Sequence, residues 1–531
     1  MDIYQVIRLY HTIKHLKFIQ VYYQVKYRLI KPKRSITTWT GEFQSLSLNL
    51  LPVKRTCYFR DKDVEGFDFL NVTHSFELGK VDWSFLQNGM LWTYNLNYFD
   101  WLHQESISKE QGLETLITFY TTIHQNPIGL HPYPTSLRII NASKFITTWG
   151  IDESWLYYKL VSDIDFLSSR LEYHLLANHL LENAFALYIG GLVTGQEEFF
   201  LKGKKLLTEQ LQEQILDDGM HYERSPMYHL IILEKLLDAL NFAKNSNDNL
   251  EPVLERYAIK MVGLARNWEE LDRIPMMHDS AYNIALPLSE ILDYSQSILG
   301  MKYPSSESEF KSSGYKKILQ GRFQLIANVG AVRPSYQPGH AHADEFNFEL
   351  FFIGLPIIVD TGISTYEKNS RRQLERSTDS HNCVSIGGNS SNVWSGFRVG
   401  QRARVTIISE DEYSVKAQHD GYRPIQVMRE FNCNEGLIKI IDSLLFSPRH
   451  QEFYGRGRLH LHPNVVVIQL DEYTLLLNEK ITITFSTDKY NSPSIELQEY
   501  QYAEGFNVLK KATVITYTIL KKTSILVSEA S

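Results

Sequence analysis

The chain has 531 residues, 43% hydrophobic and 22% charged, with a formal net charge of −7. These values exclude a disordered chain, a single small core and a bulk electrostatic case for nucleic acid, and they fit a soluble protein of two or three domains. Three widely spaced cysteines, Cys57, Cys383 and Cys433, form neither a disulfide framework nor a zinc pattern and favour a reducing compartment.

Residues 1–34 carry Arg8, Lys14, Lys17, Lys26, Arg28, Lys31, Lys33 and Arg34 against one acid, Asp2, with Ile3, Val6, Ile7, Tyr10 and Ile13 near helical spacing. Residues 1–40 are therefore a basic amphipathic segment. It is either a helix packed on the body with solvated lysines, the reading placed slightly ahead, or one lying on an anionic membrane surface. No run has the length of a transmembrane helix, and no cleavable apolar leader is visible, so the expected location is cytoplasmic, with residues 1–34 as a peripheral contact at the inner membrane face. From about 81 to 310 the pattern is helical, with segments at 113–124, 155–169, 171–189, 197–215, 226–244 and 252–267. A polar, serine-rich stretch at 305–313 reads as a linker. Beyond it, strands are expected at 323–332, 346–352, 357–359, 404–408, 438–441, 465–470, 474–477, 481–485 and 512–519. The division is residues 41–312, all-α, and residues 313–531, antiparallel β with stacked sheets.

The sharpest motif is Gly339-His340-Ala341-His342-Ala343-Asp344. On a strand, His340 and His342 share a face, and with Asp360 and His381 they match a zinc-like nitrogen and oxygen donor set. His460 and His462 repeat the spacing without a following acid cluster and read as structural. In the helical half, Asn178, His179 and Glu182 lie on one helix side. Ser225 and Pro226 open a helix, which puts Tyr228 in its first turn, where the dipole is expected to lower the phenol pKa. Arg138, Asn141, Arg224 and Arg376, together with Lys368, Arg371, Arg372 and Arg398, are candidates for an anionic sugar. Trp92, Tyr94, Tyr98, Trp101 and Trp149 are candidates for a stacking groove.

In this order, Trp92-Thr-Tyr-Asn, His131-Pro-Tyr-Pro, Asn178-His-x-x-Glu182, Ser225-Pro-x-Tyr228-His, Gly339-His-x-His-x-Asp344, Val359-Asp-Thr-Gly and Ser380-His-Asn resemble the heparinase II/III family of polysaccharide lyases over roughly residues 85–465. The resemblance implies an incomplete α/α toroid followed by an antiparallel β-sandwich, with the active site in the cleft between them. It also implies β-elimination on an anionic, uronic-acid-containing polysaccharide. Asn178 and His179 would engage the uronate carboxylate, Tyr228 and His340 would transfer protons, and Glu182 would assist. His342, Asp360 and His381 would hold a divalent metal ion, zinc or calcium. Two other readings remain: a glycoside hydrolase using Glu182 with Glu223 or Asp344, and a non-catalytic sugar-binding protein of polysaccharide assembly.

Overall fold

A computed structural model describes residues 3–31, 33–34, 46, 48, 50–51, 54–271, 273–300, 312–446, 454–487 and 493–530. Two N-terminal helices, α1 (Ile3–Ile13) and α2 (Phe18–Leu29), precede a three-stranded antiparallel sheet of Tyr58–Asp61, Val64–Phe69 and Val72–Glu77. The toroid follows: α3 (Met90–Tyr98), α4 (Lys109–Thr122), α5 (Pro132–Trp149), α6 (Ser154–Ser168), α7 (Ala177–Val193), α8 (Glu197–Gln214), α9 (Pro226–Ser246), α10 (Glu251–Ala265) and α11 (Leu288–Leu299). Together these helices form an incomplete α/α toroid. α5 and α7 are buried along nearly their whole length, so they show no amphipathic period. α7 and α8 cross at glycines: a Cβ on Gly191 would stand 2.5 Å from the Phe200 nitrogen, and one on Gly203 would stand 2.3 Å from the Tyr188 nitrogen.

The C-terminal half is an antiparallel β-sandwich. Its large sheet runs Val405–Glu410, Ser414–Tyr422, Ile425–Asn434, Leu437–Leu445, Lys522–Glu529, Ile481–Thr487, Thr474–Leu477, Val467–Gln469. Facing it are two four-stranded sheets. One is built on Tyr315–Gln320, Phe323–Asn328, Phe348–Phe352 and Leu355–Ile358, the other on Ile495–Gly505, Val508–Ile519, Gly455–His460 and Val384–Ser385. An isolated bridge from Ile358 to Leu461 joins these two. Phe348, Phe431, Ile440, Leu459, Ile483 and Ile525 belong to the apolar layer between the sheets. A short helix, α12 (Ser370–Glu375), sits in the long connection after Leu355–Ile358.

Several expected elements differ from those found. The helix expected at 171–189 begins only at Ala177, because Leu176 and Ala177 have φ of 61° and 53°, outside the α-helical basin. Strands at 414–422, 425–434, 455–460, 495–505 and 522–529 carry charged or small residues between their apolar positions, and that dilutes the β signal. Trp92 and Trp101 belong to the toroid core and do not line a groove. The linker expected at 305–313 falls largely outside the described residues; α11 ends at Leu299 and the first sandwich strand starts at Tyr315.

Arg138 is also a core residue. Its Nε lies 2.8 Å from Asp163, which further accepts from Arg34 at 2.7 Å and from the Tyr120 hydroxyl at 3.0 Å. Burial opposes ionisation of Asp163, yet the two guanidinium groups hold its carboxyl below the ordinary range. That linkage adds stability above the unfolded pKa of about 4, and the contribution is lost as the pH falls. Arg138→Ala is expected to cost about 3–5 kcal/mol in denaturant unfolding at pH 7 by stranding a buried charge, with ligand affinity of the folded protein unchanged.

Candidate active site

The site forms where toroid loops and helix starts meet the segment around His340. Ser225 caps α9, its hydroxyl accepting from the Tyr228 backbone N–H at 3.2 Å. This turn presents the Tyr228 ring to the His340 ring, with centroids 4.0 Å apart and planes 30° apart. The Tyr228 hydroxyl lies 3.4 Å from that of Tyr366. The dipole argument for an acidic phenol fails: burial pushes the Tyr228 pKa well above its ordinary value, and Asp279 and Glu223 add to the rise. Tyr228 is a neutral phenol in the free protein.

His340 is oriented from below by Asp279, whose Oδ2 lies 2.8 Å from His340 Nδ1. The other oxygen of Asp279 lies 2.8 Å from His342 Nε2. Arg372 closes the arrangement with a fork onto both oxygens at 2.5 and 2.6 Å. Burial raises the cost of the Asp279 charge, but Arg372 and the two imidazoles hold its carboxyl well below the ordinary range. Asp279 belongs to the toroid and follows His278, whose φ is 56°. The signal for it in the sequence was the His278-Asp279-Ser280 triplet in a helix-free stretch, which carries no family-independent spacing.

Across from His340, Asn178 and His179 occupy the first turn of α7. The displaced helix start thus puts both at a positive dipole end suited to a carboxylate. Asn178 Oδ1 is buried without a hydrogen-bond partner. His179 Nδ1 lies 3.1 Å from Glu172. Burial disfavours its charged form, but Glu172 more than compensates and raises the imidazole pKa. Glu223 connects the two sides: it accepts the Asn178 backbone N–H and stands 4.0 Å from His340 Nε2. Burial raises its pKa, and that of Glu182 to about 8. Glu182 has both carboxyl oxygens buried without partners. Beside His179, a cavity of about 290 Å³ is walled by Tyr94, His131, Tyr133, Arg170 and Glu172.

Asn178, His179, Tyr228 and His340 are thus gathered at the boundary between the two halves, while Glu182, one turn along α7 from Asn178, has its charged neighbours in the toroid, Lys235, Glu234 and Asp238 besides His179. The expected basic contacts are not. Asn141 donates from its side chain to the Tyr98 carbonyl at 2.8 Å. Arg224 reaches across to the Ala331 carbonyl at 2.6 Å and ties toroid to sandwich. Arg376 is buried and donates to the Ala341 carbonyl at 2.8 Å, bracing the segment between the two histidines. With Arg138 in the toroid core, all four are engaged by the protein itself. Lys368, Arg398 and Arg402 line a neighbouring cavity of about 570 Å³.

Among the described residues, no group of three or more His, Cys, Asp or Glu side chains stands in metal-holding geometry. Asp360 is not placed as a third ligand, since its Oδ2 lies 2.7 Å from His381 Nδ1 and accepts from Asn347 at 2.5 Å. The donor chemistry nevertheless fits a cation. His342 and His381 lie 5.2 Å apart, each held by a carboxylate through one nitrogen, and His342 Nδ1 and His381 Nε2 are buried without hydrogen-bond partners. Carboxylate-oriented imidazoles with one nitrogen left over are the usual support of a metal site.

Fold and site define a two-domain protein with a buried tyrosine–histidine ring pair and a polar helix start at the domain boundary. A family model described as heparinase II/III N-terminus matches residues 134–280, and one described as heparinase II/III-like, C-terminal, matches residues 303–527. The chain belongs to the heparinase II/III family. It is 25% identical over 378 residues to a heparin-sulfate lyase of Bacteroides thetaiotaomicron, covering 58% of this chain and 54% of that protein. The chain therefore spans about half the length of the curated relative it matches. Among solved structures, a heparinase III has a TM-score of 0.67 at 16% identity over 86% of this chain and 80% of that one. A heparan sulfate lyase from Pedobacter heparinus has a TM-score of 0.57 at 14% identity, over 96% and 87%. At these identities the solved structures establish the fold.

Asp279→Asn is expected to lower kcat at this site by about 10- to 100-fold with little change in KM, because it frees both imidazoles from their shared anchor. Adding Arg372→Gln removes the stranded guanidinium, so steady-state kinetics and thermal unfolding of the double variant separate orientation from stability.

Proposed function

We propose that the chain is a polysaccharide lyase that cleaves uronic-acid-containing polysaccharide by β-elimination. The observation that carries this reading is the Tyr228–His340 stack facing Asn178 and a His179 whose pKa Glu172 raises. A C5 proton beside a carboxylate is weakly acidic, since its removal adds charge next to an anion. Asn178, His179 and the start of α7 are placed to neutralise that charge as it develops. With Asp279 accepting from His340 Nδ1, the lone pair at Nε2 serves as base. The C5–H bond breaks, its electron pair forms the C4–C5 double bond, and the C4–O bond breaks. Tyr228, neutral before substrate arrives, donates its proton to the departing oxygen.

A hydrolase would need one ionised carboxylate opposite a protonated one. Burial shifts both Glu182 and Glu223 towards the neutral form, which disfavours that division of roles between them. Burial also opposes the charge of Asp344, the other carboxylate, yet His278 holds it below the ordinary range; it is engaged by His278 at 3.1 Å and by Asn328 at 3.3 Å. The heparin and heparan sulfate in the names of relatives place glycosaminoglycans first among substrates to try, followed by glucuronan and alginate. A divalent cation, zinc or calcium, is proposed at His342 and His381, where it would brace the segment carrying His340.

Incubation with a panel of these polymers is expected to generate the ultraviolet absorbance of an unsaturated uronate. New reducing ends without that absorbance would instead indicate hydrolysis. Tyr228→Phe is expected to slow elimination by about 10²–10⁴-fold with the thermal unfolding curve unchanged; activity retained by this variant would remove Tyr228 from the acid role. His179 must be protonated, so kcat/KM should fall as pH rises through its raised pKa, above about 6.5. Glu172→Gln should move that alkaline limb to lower pH. Elemental analysis of the purified protein is expected to find a bound divalent metal that is absent from His381→Ala, whatever the activity of either.

A further inference from the structure

The N-terminal helices turn a mixed side inward and leave apolar rows exposed. The buried residues of α1 and α2 are Thr12 and Gln20, at 9% and 1% exposure. Ile3, Phe18 and Leu29 are 80%, 84% and 79% exposed. Ile3, Ile7 and Tyr10 recur at i, i+4 and i+7, on the side of α1 opposite Thr12. Phe18, Tyr22 and Leu29 form the matching row on α2, opposite Gln20 and Gln24. A helix that stores its apolar stripe in the body of a protein shows the reverse pattern.

The inward side is fixed to both halves of the molecule. Trp394 Nε1 donates to the Thr12 hydroxyl at 3.1 Å, and Arg8 lies over the Trp394 ring at 4.6 Å. Gln20 donates to the Leu175 carbonyl of the toroid and to Gln337 ahead of the His340 segment. Tyr27 donates to the Leu171 carbonyl at 2.7 Å, and Lys17 pairs with Glu213. The two helices therefore roof the 570 Å³ cavity, whose far wall includes Phe397, itself edge-on to His340 at 6.4 Å. Leu9, Ile13, Leu16, Val21 and Val25 line this cavity as well, while the rows of Ile3, Ile7 and Tyr10 and of Phe18, Tyr22 and Leu29 do not.

We infer that this outward face docks on an anionic lipid surface. Residues 3–34 contain no Asp or Glu. Lys14 over Tyr10 at 5.7 Å and Lys26 over Tyr23 at 5.1 Å lie beside the apolar rows, and Lys31 and Lys33 follow α2 in exposed positions. Aromatic and aliphatic side chains ringed by lysines match the chemistry of a headgroup layer. A second copy of the chain is a poorer occupant, because two such faces would oppose like charges with no acid to pair them. Among the described residues no helix is long and apolar enough to cross a membrane, so the contact is peripheral. Docking in this orientation sets the cavity under α1 and α2, and the His340 side of the cleft, close to the bilayer. It does not depend on the lyase chemistry.

Vesicle co-sedimentation of the full chain tests this. Binding is expected to vesicles of phosphatidylcholine with phosphatidylglycerol, weakening at least about tenfold with phosphatidylcholine alone or on raising salt from about 0.1 M to about 1 M. The triple variant Ile7→Glu/Phe18→Glu/Leu29→Glu should lose binding by at least about tenfold, with thermal unfolding unchanged because these side chains contact solvent. Lys14→Glu/Lys26→Glu/Lys31→Glu should lose it without touching the apolar rows. Failure of the parent protein to sediment with anionic vesicles would overturn the inference, as would equal binding by both variants. A dimer in sedimentation equilibrium that the apolar triple variant dissociates, without vesicle binding, would assign the face to self-association.

Discussion

Everything at the domain boundary hangs on one carboxylate. Asp279 leaves the toroid, enters the sandwich side and meets three cationic or cation-capable partners with its two oxygens. A lone buried carboxylate would be driven neutral. Here the bidentate Arg372 fork offsets that cost and leaves the charge available to polarise two imidazoles in fixed tautomers. His340 and His342 are one residue apart, so any displacement of Asp279 moves both. His340 and the candidate cation site thus share one mechanical support, and that support comes from the other domain.

This dependence explains why the sequence reads well for some residues and poorly for others. The fold class and the gathering of Asn178, His179, Tyr228 and His340 were legible, because helix starts and the His-x-His spacing are local patterns that a family resemblance reinforces. Asp279 and Arg372 act through a contact spanning 93 positions; Arg372 stood among the candidates for an anionic sugar, and nothing local pairs it with Asp279. Arg138, Arg224 and Arg376 looked like sugar ligands because an arginine's formal charge is visible in sequence while its buried partner is not. Several strands escaped for a related reason: Ile425–Asn434 alternates buried apolar residues with Arg429 and Glu430, and Arg429 is itself committed to buried Asp442.

The start of α7 shows how local strain serves the site. Two consecutive non-glycine residues at positive φ, Leu176 and Ala177, interrupt a sequence that is apolar enough to be helical from residue 171. Such conformations are disfavoured and persist where the surroundings over-determine them. Their effect is to begin the helix at Ala177, so that the first-turn backbone N–H groups, that of Asn178 given to Glu223, lie beside two polar side chains. Had the helix run on from 171, those N–H groups would have been consumed by the preceding turn.

Tyr228 and His340 lie together with different hydrogen-bond partners. The rings stack, so they share one desolvated space, but their supports differ. The Tyr228 oxygen lies 3.4 Å from the hydroxyl of Tyr366, and the surrounding carboxylates Asp279 and Glu223 make a phenolate costlier. His340 has a carboxylate behind its far nitrogen, which favours a proton there and turns the lone pair of the other nitrogen outward. Burial next to anions keeps the phenol loaded, while Asp279 fixes which nitrogen of the imidazole faces outward. One buried carboxylate therefore sets the environment of both rings.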